Sequence, residues 1–186
     1  MILLEMTNDL CGTVAQSTNE PYRTMSNLFY LSLGSNVGDR KGHLLQAIGR
    51  LREHGLYVAL SSFYETEPVE VTDQAWFLNC AVALESGETP AQMMADILAI
   101  EKAMGRQRIQ KKGPRTIDID ILLAGDTIVD TLNLTIPHPA MAERRFVLEP
   151  LAEIAPQARH PVLKKTVREL LDELPAGQMV RKLQKT

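Results

Sequence analysis

Between Leu28 and Gly125 the spacing of apolar residues switches repeatedly between a period of two and a period near 3.6, and the order of the switches restricts the fold. NLFYLSLGSN carries a short strand, Leu28 to Leu33, that stops at Gly34. From Asp39 to Glu53, Leu44, Leu45, Ile48 and Leu51 recur at steps of three and four, predicting an amphipathic helix capped by Asp39 and ended by Gly55. LYVALSSFYET and AWFLNCAVALES predict two strands, antiparallel neighbours across a loop from Glu67 to Gln74. A second helix is predicted from Thr89 to Met104, with Pro90 at its first position, Met94, Ile97, Leu98 and Glu101 at helical steps, and Gly105 past its end. TIDIDILLAG is the fourth strand. Strand, helix, strand, strand, helix, strand is the βαββαβ order of a ferredoxin-like α+β fold, with its helices on one face of an antiparallel sheet.

C-terminal additions follow: the hydrophobic segment DTIVDTLNLTIPHP, a short helix near Glu143 to Pro150, and a helix from Thr166 to Leu174. Residues 1–26 are rich in Ser, Thr and Asn without a hydrophobic period, so a loosely ordered leader is expected there, with Met25 a candidate start. Residues 27–186 are expected to form a single domain, as a monomer.

A formal charge of -3 argues against a protein that coats nucleic acid, which needs an excess of Lys and Arg. No apolar run reaches the length of a membrane helix, and Glu5 interrupts MILLEM too soon for a signal-peptide core, so neither membrane insertion nor export is expected. Cys11 and Cys80 make no CxxC pair and no disulfide framework, which fits a cytoplasmic location.

The chemistry concentrates in GPRTIDIDILLAG. Alternation puts Ile117, Ile119 and Ile121 on the core side and Asp118 and Asp120 together on the other, with alpha carbons roughly 6 to 7 Å apart. Two carboxylates held that close repel one another, whereas magnesium takes oxygen ligands and completes its shell with substrate phosphates. The carboxylates are therefore expected to stand open over a site rather than buried. The alternative is a half-exposed strand with a polar face. Arg106, Arg108, Lys111, Lys112 and Arg115 precede the strand and suit a phosphate clamp, or else a solvated basic loop. His138, between two prolines in IPHP, can be aimed at a phosphate or be structural; Arg144, Arg145 and Phe146 can add cations and an aromatic face or mark a charged helix end. LGSNVGD is not a Walker motif and signals a tight strand-to-helix connection.

Together, LGSNVGDR, SSFYETEPV, DQAWFLNCAV, GPRTIDIDILLAG, IPHPAM and RFVLEPLAEIAP, in order between about Leu28 and Val180, resemble the 6-hydroxymethyl-7,8-dihydropterin pyrophosphokinases of the folate pathway. The resemblance implies a ferredoxin-like core, transfer of pyrophosphate from ATP to the pterin hydroxymethyl group with release of AMP, and two magnesium ions. It implies that Asp118 and Asp120 hold the metal, that Arg106 and Arg115 engage the phosphates around the transferred group, and that Glu101, His138 and Arg144 also serve the nucleotide. On the pterin side it implies Asn79 on the ring edge, Phe77 and Phe146 as aromatic walls, and backbone groups of Thr66 and Val69. Phe77 stands where some members carry Tyr, Lys112 where some carry Trp, and the loop from Arg106 to Gly113 is one residue shorter than in some, so no indole lid is expected from that loop. That loop and YETEPV are expected to be mobile when empty. Two other readings stand beside this one: a ferredoxin-like RNA-binding module, against which the acidic balance speaks, and a catalytically silent relative, for which a metal pair has no use.

Overall fold

The structure, a computed structural model, describes residues 26–68, 74–106 and 113–184. The expected leader, the start at Met25, Val69, Arg108, Lys111 and Lys112, with most of the loop expected to be mobile, lie outside the described residues.

The predicted order is present: β1 (Asn27–Ser35), α1 (Arg40–Leu51), β2 (Leu56–Leu60), β3 (Tyr64–Thr66), β4 (Phe77–Ser86), α2 (Pro90–Ala103) and β5 (Asp118–Ala124). Asp39 caps α1 by accepting from the Gly42 amide at 2.9 Å. Thr89 and Gln92 cap α2 reciprocally, with Pro90 in the first turn, where its missing N–H costs no helical bond. The strands pair antiparallel in the order β5, β1, β4, β3, and β2 also pairs β4.

LYVALSSFYET is two strands rather than one. At the break the buried Ser61 hydroxyl accepts from the Ala81 amide at 2.9 Å and the Ser61 amide donates to the Ala81 carbonyl at 3.0 Å, so β4 keeps its partners while the edge strand shifts.

One sheet face carries Phe29, Leu31, Leu33, Leu78, Cys80, Val82, Leu84, Ile119 and Ile121 against Leu44, Ala47, Ile48 and Leu51 of α1 and Met93, Ile97 and Ile100 of α2. Leu45 and Leu98, expected on the apolar stripes, are 49% and 41% exposed. Each sits one helical step of about 100° beyond a stripe already filled by its neighbours.

Both helices of the βαββαβ core thus lie on one face, as expected, and the C-terminal additions cover the other. After a β6–β7 hairpin (Val129–Asp130, Thr135–Ile136) and a 3-10 turn (Met141–Glu143), α3 (Arg145–Ile154) and α4 (Val167–Glu173) pack Val147, Leu148, Leu151, Val167, Leu170 and Leu171 onto Ala81, Leu122 and Leu123 of the opposite face. A sheet with apolar residues on both sides needs two layers to cover it. Glu153 of α3 anchors this layer, accepting from Tyr64 at 2.8 Å, Ser62 at 2.9 Å and Lys182 at 3.0 Å. β8 (Val180–Lys182) then adds to the sheet edge beside β3. The α3–α4 layer covers only part of its face, and the uncovered part bears Ser32, Gly34, Phe77, Asn79, Asp118 and Asp120.

Candidate active site

Asp118 and Asp120 occupy the first and third positions of β5 and face the same way, as the alternation requires. They are not open to solvent as expected: Asp118's side chain is only 18% exposed and Asp120 is half-buried, because flanking strands and basic side chains wall them in. Asp118 Oδ1 lies 2.7 Å from Arg106 Nη1, and its Oδ2 pairs with Arg115. Burial first, then the charges of Asp118 and Glu101, push the Asp120 carboxyl up to about 7, with the cations of Arg144 and Arg106 opposing.

Glu101 lies on α2 and is almost wholly buried. Its Oε1 accepts from the Ile119 amide at 2.8 Å and pairs with Arg106, so it ties the end of α2 and Arg106 to β5 between the two aspartates. Burial raises its carboxyl despite these donors. The floor of the site is thus a charge network of Glu101, Arg106, Asp118 and Arg115, with Asp120 beside it.

Arg115 is held by its backbone. Its amide donates to Asn36 Oδ1 at 2.7 Å, its carbonyl accepts from the Asn36 amide at 3.1 Å, and Asn36 Nδ2 reaches Gln74 Oε1 at 3.1 Å. Sequence reasoning missed Asn36 by taking LGSNVGD only for a connection; the available signal was an amide side chain directly after a buried strand.

Two clefts meet at the aspartates. The first is open to solvent and has a cavity volume of about 110 Å³. It brings together Thr66, Phe77, Asn79, Arg115, Asp118, Asp120, Arg144 and Phe146 of the expected residues, and adds Ser32, Gly34 and Gln74. Asn79, buried, donates to Thr66 Oγ1 at 2.7 Å, which fixes its amide plane. A Cβ on Gly34 would stand 2.6 Å from Asn79 Oδ1, so only glycine leaves that amide in place. Arg144 precedes α3 and its guanidinium lies 5.7 Å from the Phe146 ring centre. Val69, expected here, is outside the described residues.

The second cleft shares Asp118 and Asp120 and carries Glu101 and Arg106. Its other wall is Met94, Leu98, Val129 and Leu134, with Thr131 and Asn133 at one side. Sequence reasoning put Met94 and Leu98 at the helical steps of α2 without assigning them to a cleft; their place just off the buried stripe was the signal for a surface they could line. Neither Arg144 nor His138, both expected near a nucleotide, lines this second cleft.

His138 is held by its amide on the Leu122 carbonyl at 3.0 Å. Its Nδ1 accepts from the Ala140 amide at 3.2 Å, which leaves the proton of a neutral ring on Nε2. Burial, then Arg144, lower its pKa, with Asp118 opposing, so the ring is neutral near pH 7.

Residues 30–156 match the model of the family described as 7,8-dihydro-6-hydroxymethylpterin-pyrophosphokinase. The chain is 46% identical over 135 residues to the 2-amino-4-hydroxy-6-hydroxymethyldihydropteridine pyrophosphokinase of Bacillus subtilis, covering 72% of this chain and 81% of that protein. To the protein of the same name from Methylorubrum extorquens it is 46% identical over 151 residues, covering 80% and 94%. The folic acid synthesis protein fol1 of Schizosaccharomyces pombe is 38% identical over 87% of this chain, which spans 22% of that protein's length. In fold the chain is similar to Plasmodium falciparum HPPK-DHPS A437G with pteroate, at a TM-score of 0.65 and 19% identity, covering 82% of this chain and 44% of that one. Shared sequence over most of the chain, carried on a βαββαβ core, makes this protein a member of the 7,8-dihydro-6-hydroxymethylpterin-pyrophosphokinase family, enzymes of folate synthesis.

Proposed function

We propose that the protein catalyses magnesium-dependent transfer of a pyrophosphoryl group from ATP to 6-hydroxymethyl-7,8-dihydropterin, giving the pterin diphosphate and AMP. The observation that carries this reading is the meeting of two clefts of different character at one carboxylate pair. A polar slot with two aromatic side chains suits a flat heterocycle rich in donors and acceptors, and an apolar wall with polar groups at its side suits a nucleoside. In the reaction the hydroxymethyl oxygen attacks the β-phosphorus, the bond from that phosphorus to the α-phosphate oxygen breaks, AMP leaves, and the hydroxyl proton passes to solvent or a phosphate oxygen.

The pterin would lie between Phe77 and Phe146 with its edge on Asn79, presenting its hydroxymethyl group toward Asp118 and Asp120. The nucleotide would occupy the second cleft, its phosphates reaching the same pair. Two facing carboxylates, one of them with its pKa pushed up, form an oxygen donor set that suits a hard divalent cation. Asp118 and Asp120 would hold the two magnesium ions, which supply charge neutralisation for the attacking and leaving oxygens. Arg106 and Arg115, at present turned onto Asp118, would exchange part of that pairing for phosphate oxygens. Neutral His138, outside the second cleft but within the fields of Asp118 and Arg144, would offer Nε2–H to a phosphate oxygen that reaches the aspartates, and Arg144 adds positive charge at the rim of the pterin slot. Positioning and charge neutralisation account for the rate, so no side chain need act as general base.

No described helix is long and apolar enough to cross a membrane. Cys80 is a buried free thiol, in keeping with a cytoplasmic enzyme. The test is to incubate the protein with magnesium, ATP and the hydroxymethyl dihydropterin and to separate the products. AMP and the pterin diphosphate in equal amounts are expected; ADP alone, or no turnover, would overturn the reading.

A further inference from the structure

On the sheet face away from the aspartates, three side chains from separate segments converge. His54 follows α1, Glu88 lies in the turn between β4 and α2, and Asp96 is on α2. His54 Nδ1 lies 3.3 Å from Glu88 Oε1 and 3.3 Å from Asp96 Oδ2. One ligand atom from each of the three fits within a span of 4.8 Å.

These separations discriminate between cations. Two ligands bound about 2.0–2.1 Å from one zinc at the tetrahedral angle stand about 3.3 Å apart. Octahedral magnesium with similar bond lengths brings neighbouring ligands to about 2.9 Å. Both histidine-to-carboxylate edges fit the former. An imidazole nitrogen with two carboxylates is a zinc-type donor set, whereas magnesium prefers oxygen alone.

A second observation is independent of those distances. Oε2 of Glu88 is shut off from solvent with no amide, hydroxyl or cationic donor on it, and the Glu88 carboxyl lies against that of Asp96, a contact of like groups that a cation relieves. The backbone also presets the cluster: the Ser86 hydroxyl donates to the His54 carbonyl at 2.6 Å and accepts from the Glu88 amide at 3.2 Å. The three side chains are 24% to 33% exposed, which leaves room for a metal-bound water in the fourth position and a path for the ion to enter.

We propose that His54, Glu88 and Asp96 form a tetrahedral site for a zinc-type divalent cation, distinct from the aspartate pair, that clips the end of α1 to the start of α2. Its role is structural. It joins the two helices that cover one face of the core, and it stabilises the fold by binding only the folded chain.

The test uses the full chain carrying Asp118→Asn and Asp120→Asn, stripped with chelator, so that the aspartate pair contributes no binding. Titration with cobalt(II) is followed by visible absorption, which is intense for tetrahedral and weak for octahedral coordination. One equivalent with an intense band is expected, displaced by zinc and unaffected by millimolar magnesium. The band is expected to vanish in His54→Gln and in Glu88→Gln. Zinc should raise the thermal midpoint by several degrees in the parent and by none in His54→Gln. Absence of saturable cobalt binding, or binding that survives both substitutions, would overturn the site. A histidinium merely shared between two carboxylates would appear as a protein whose midpoint falls on His54→Gln but never responds to zinc, and that result also overturns it.

Discussion

Asn36 and Arg115, seventy-nine positions apart, exchange two hydrogen bonds, with the asparagine side chain accepting from the arginine amide and its own amide donating to the arginine carbonyl. The guanidinium that meets Asp118 therefore hangs from a backbone pinned to the end of β1. Asn36→Ala leaves the Arg115 amide unpaired at a cost of about 1–3 kcal/mol. We expect a lower denaturation midpoint and a larger loss in kcat than in KM, roughly tenfold or more, since Arg115 would be misplaced rather than removed. Denaturant titration with steady-state kinetics checks both, and an unchanged kcat would count against the positioning role.

Gly34 and Asn79 are coupled by space. A methyl group on Gly34 would push Asn79 off the Thr66 hydroxyl that orients it. Gly34→Ala should weaken pterin binding at least about tenfold, the value of one lost hydrogen bond of about 1.4 kcal/mol. Binding of a non-hydrolysable ATP analogue should be preserved. Calorimetry with each ligand separately distinguishes this from general unfolding.

The second cleft is probed from its rim. Leu98 is exposed enough that its replacement need not disturb the core, yet it lines the wall assigned to the nucleoside. Leu98→Lys should raise the KM for ATP about tenfold, from about 1.4 kcal/mol of lost apolar contact, and leave the KM for the pterin unchanged. A change confined to the pterin would show that the two clefts are assigned the wrong way round.

Asp120 sets a pH dependence of stability. Its carboxyl sits at about 7 in the fold, above the usual carboxylate value, so between about pH 4 and 7 the folded chain binds a proton that the unfolded chain has released. The stability it contributes is full below that window, declines as pH rises through it, and levels off above 7. The fall is roughly 2–4 kcal/mol at most, since each tenfold change in proton affinity is worth about 1.4 kcal/mol. Asp120→Asn should flatten that slope while abolishing turnover, and Asp118→Asn should abolish turnover too. Magnesium should flatten the wild-type slope by favouring the ionised form. Urea midpoints at several pH values, with and without magnesium, measure this.

How much of this was legible beforehand follows from what each residue depends on. The strand and helix order was set by local period, and the Ile and Asp alternation of β5 placed both carboxylates on one face because a strand offers only two. The split at Ser61 was hidden, since a side-chain hydroxyl there takes the place of the ladder and apolar residues run on without a gap. So was the layering: the apolar residues of α3 and α4 show that they must be covered, but not which sheet face they meet. Met94 and Leu98 were legible only as helical steps, because periodicity cannot distinguish a buried stripe from an adjoining strip that lines a cleft. Asn36 needed a partner seventy-nine residues away, which no local pattern reports.

The edge strand β8 has a consequence for how the site is completed during synthesis. Val180 pairs with Thr66, Glu67 is bonded to Met179 in both directions, and Gln178 accepts from the Phe146 amide. β3, which brings Thr66 to the slot, thus waits for its edge partner until more than a hundred residues later. A nascent chain can hold the aspartates, both arginines and the helices of the core and still lack the backing of its slot, so capacity to bind the flat substrate should arrive in one of the last steps of folding.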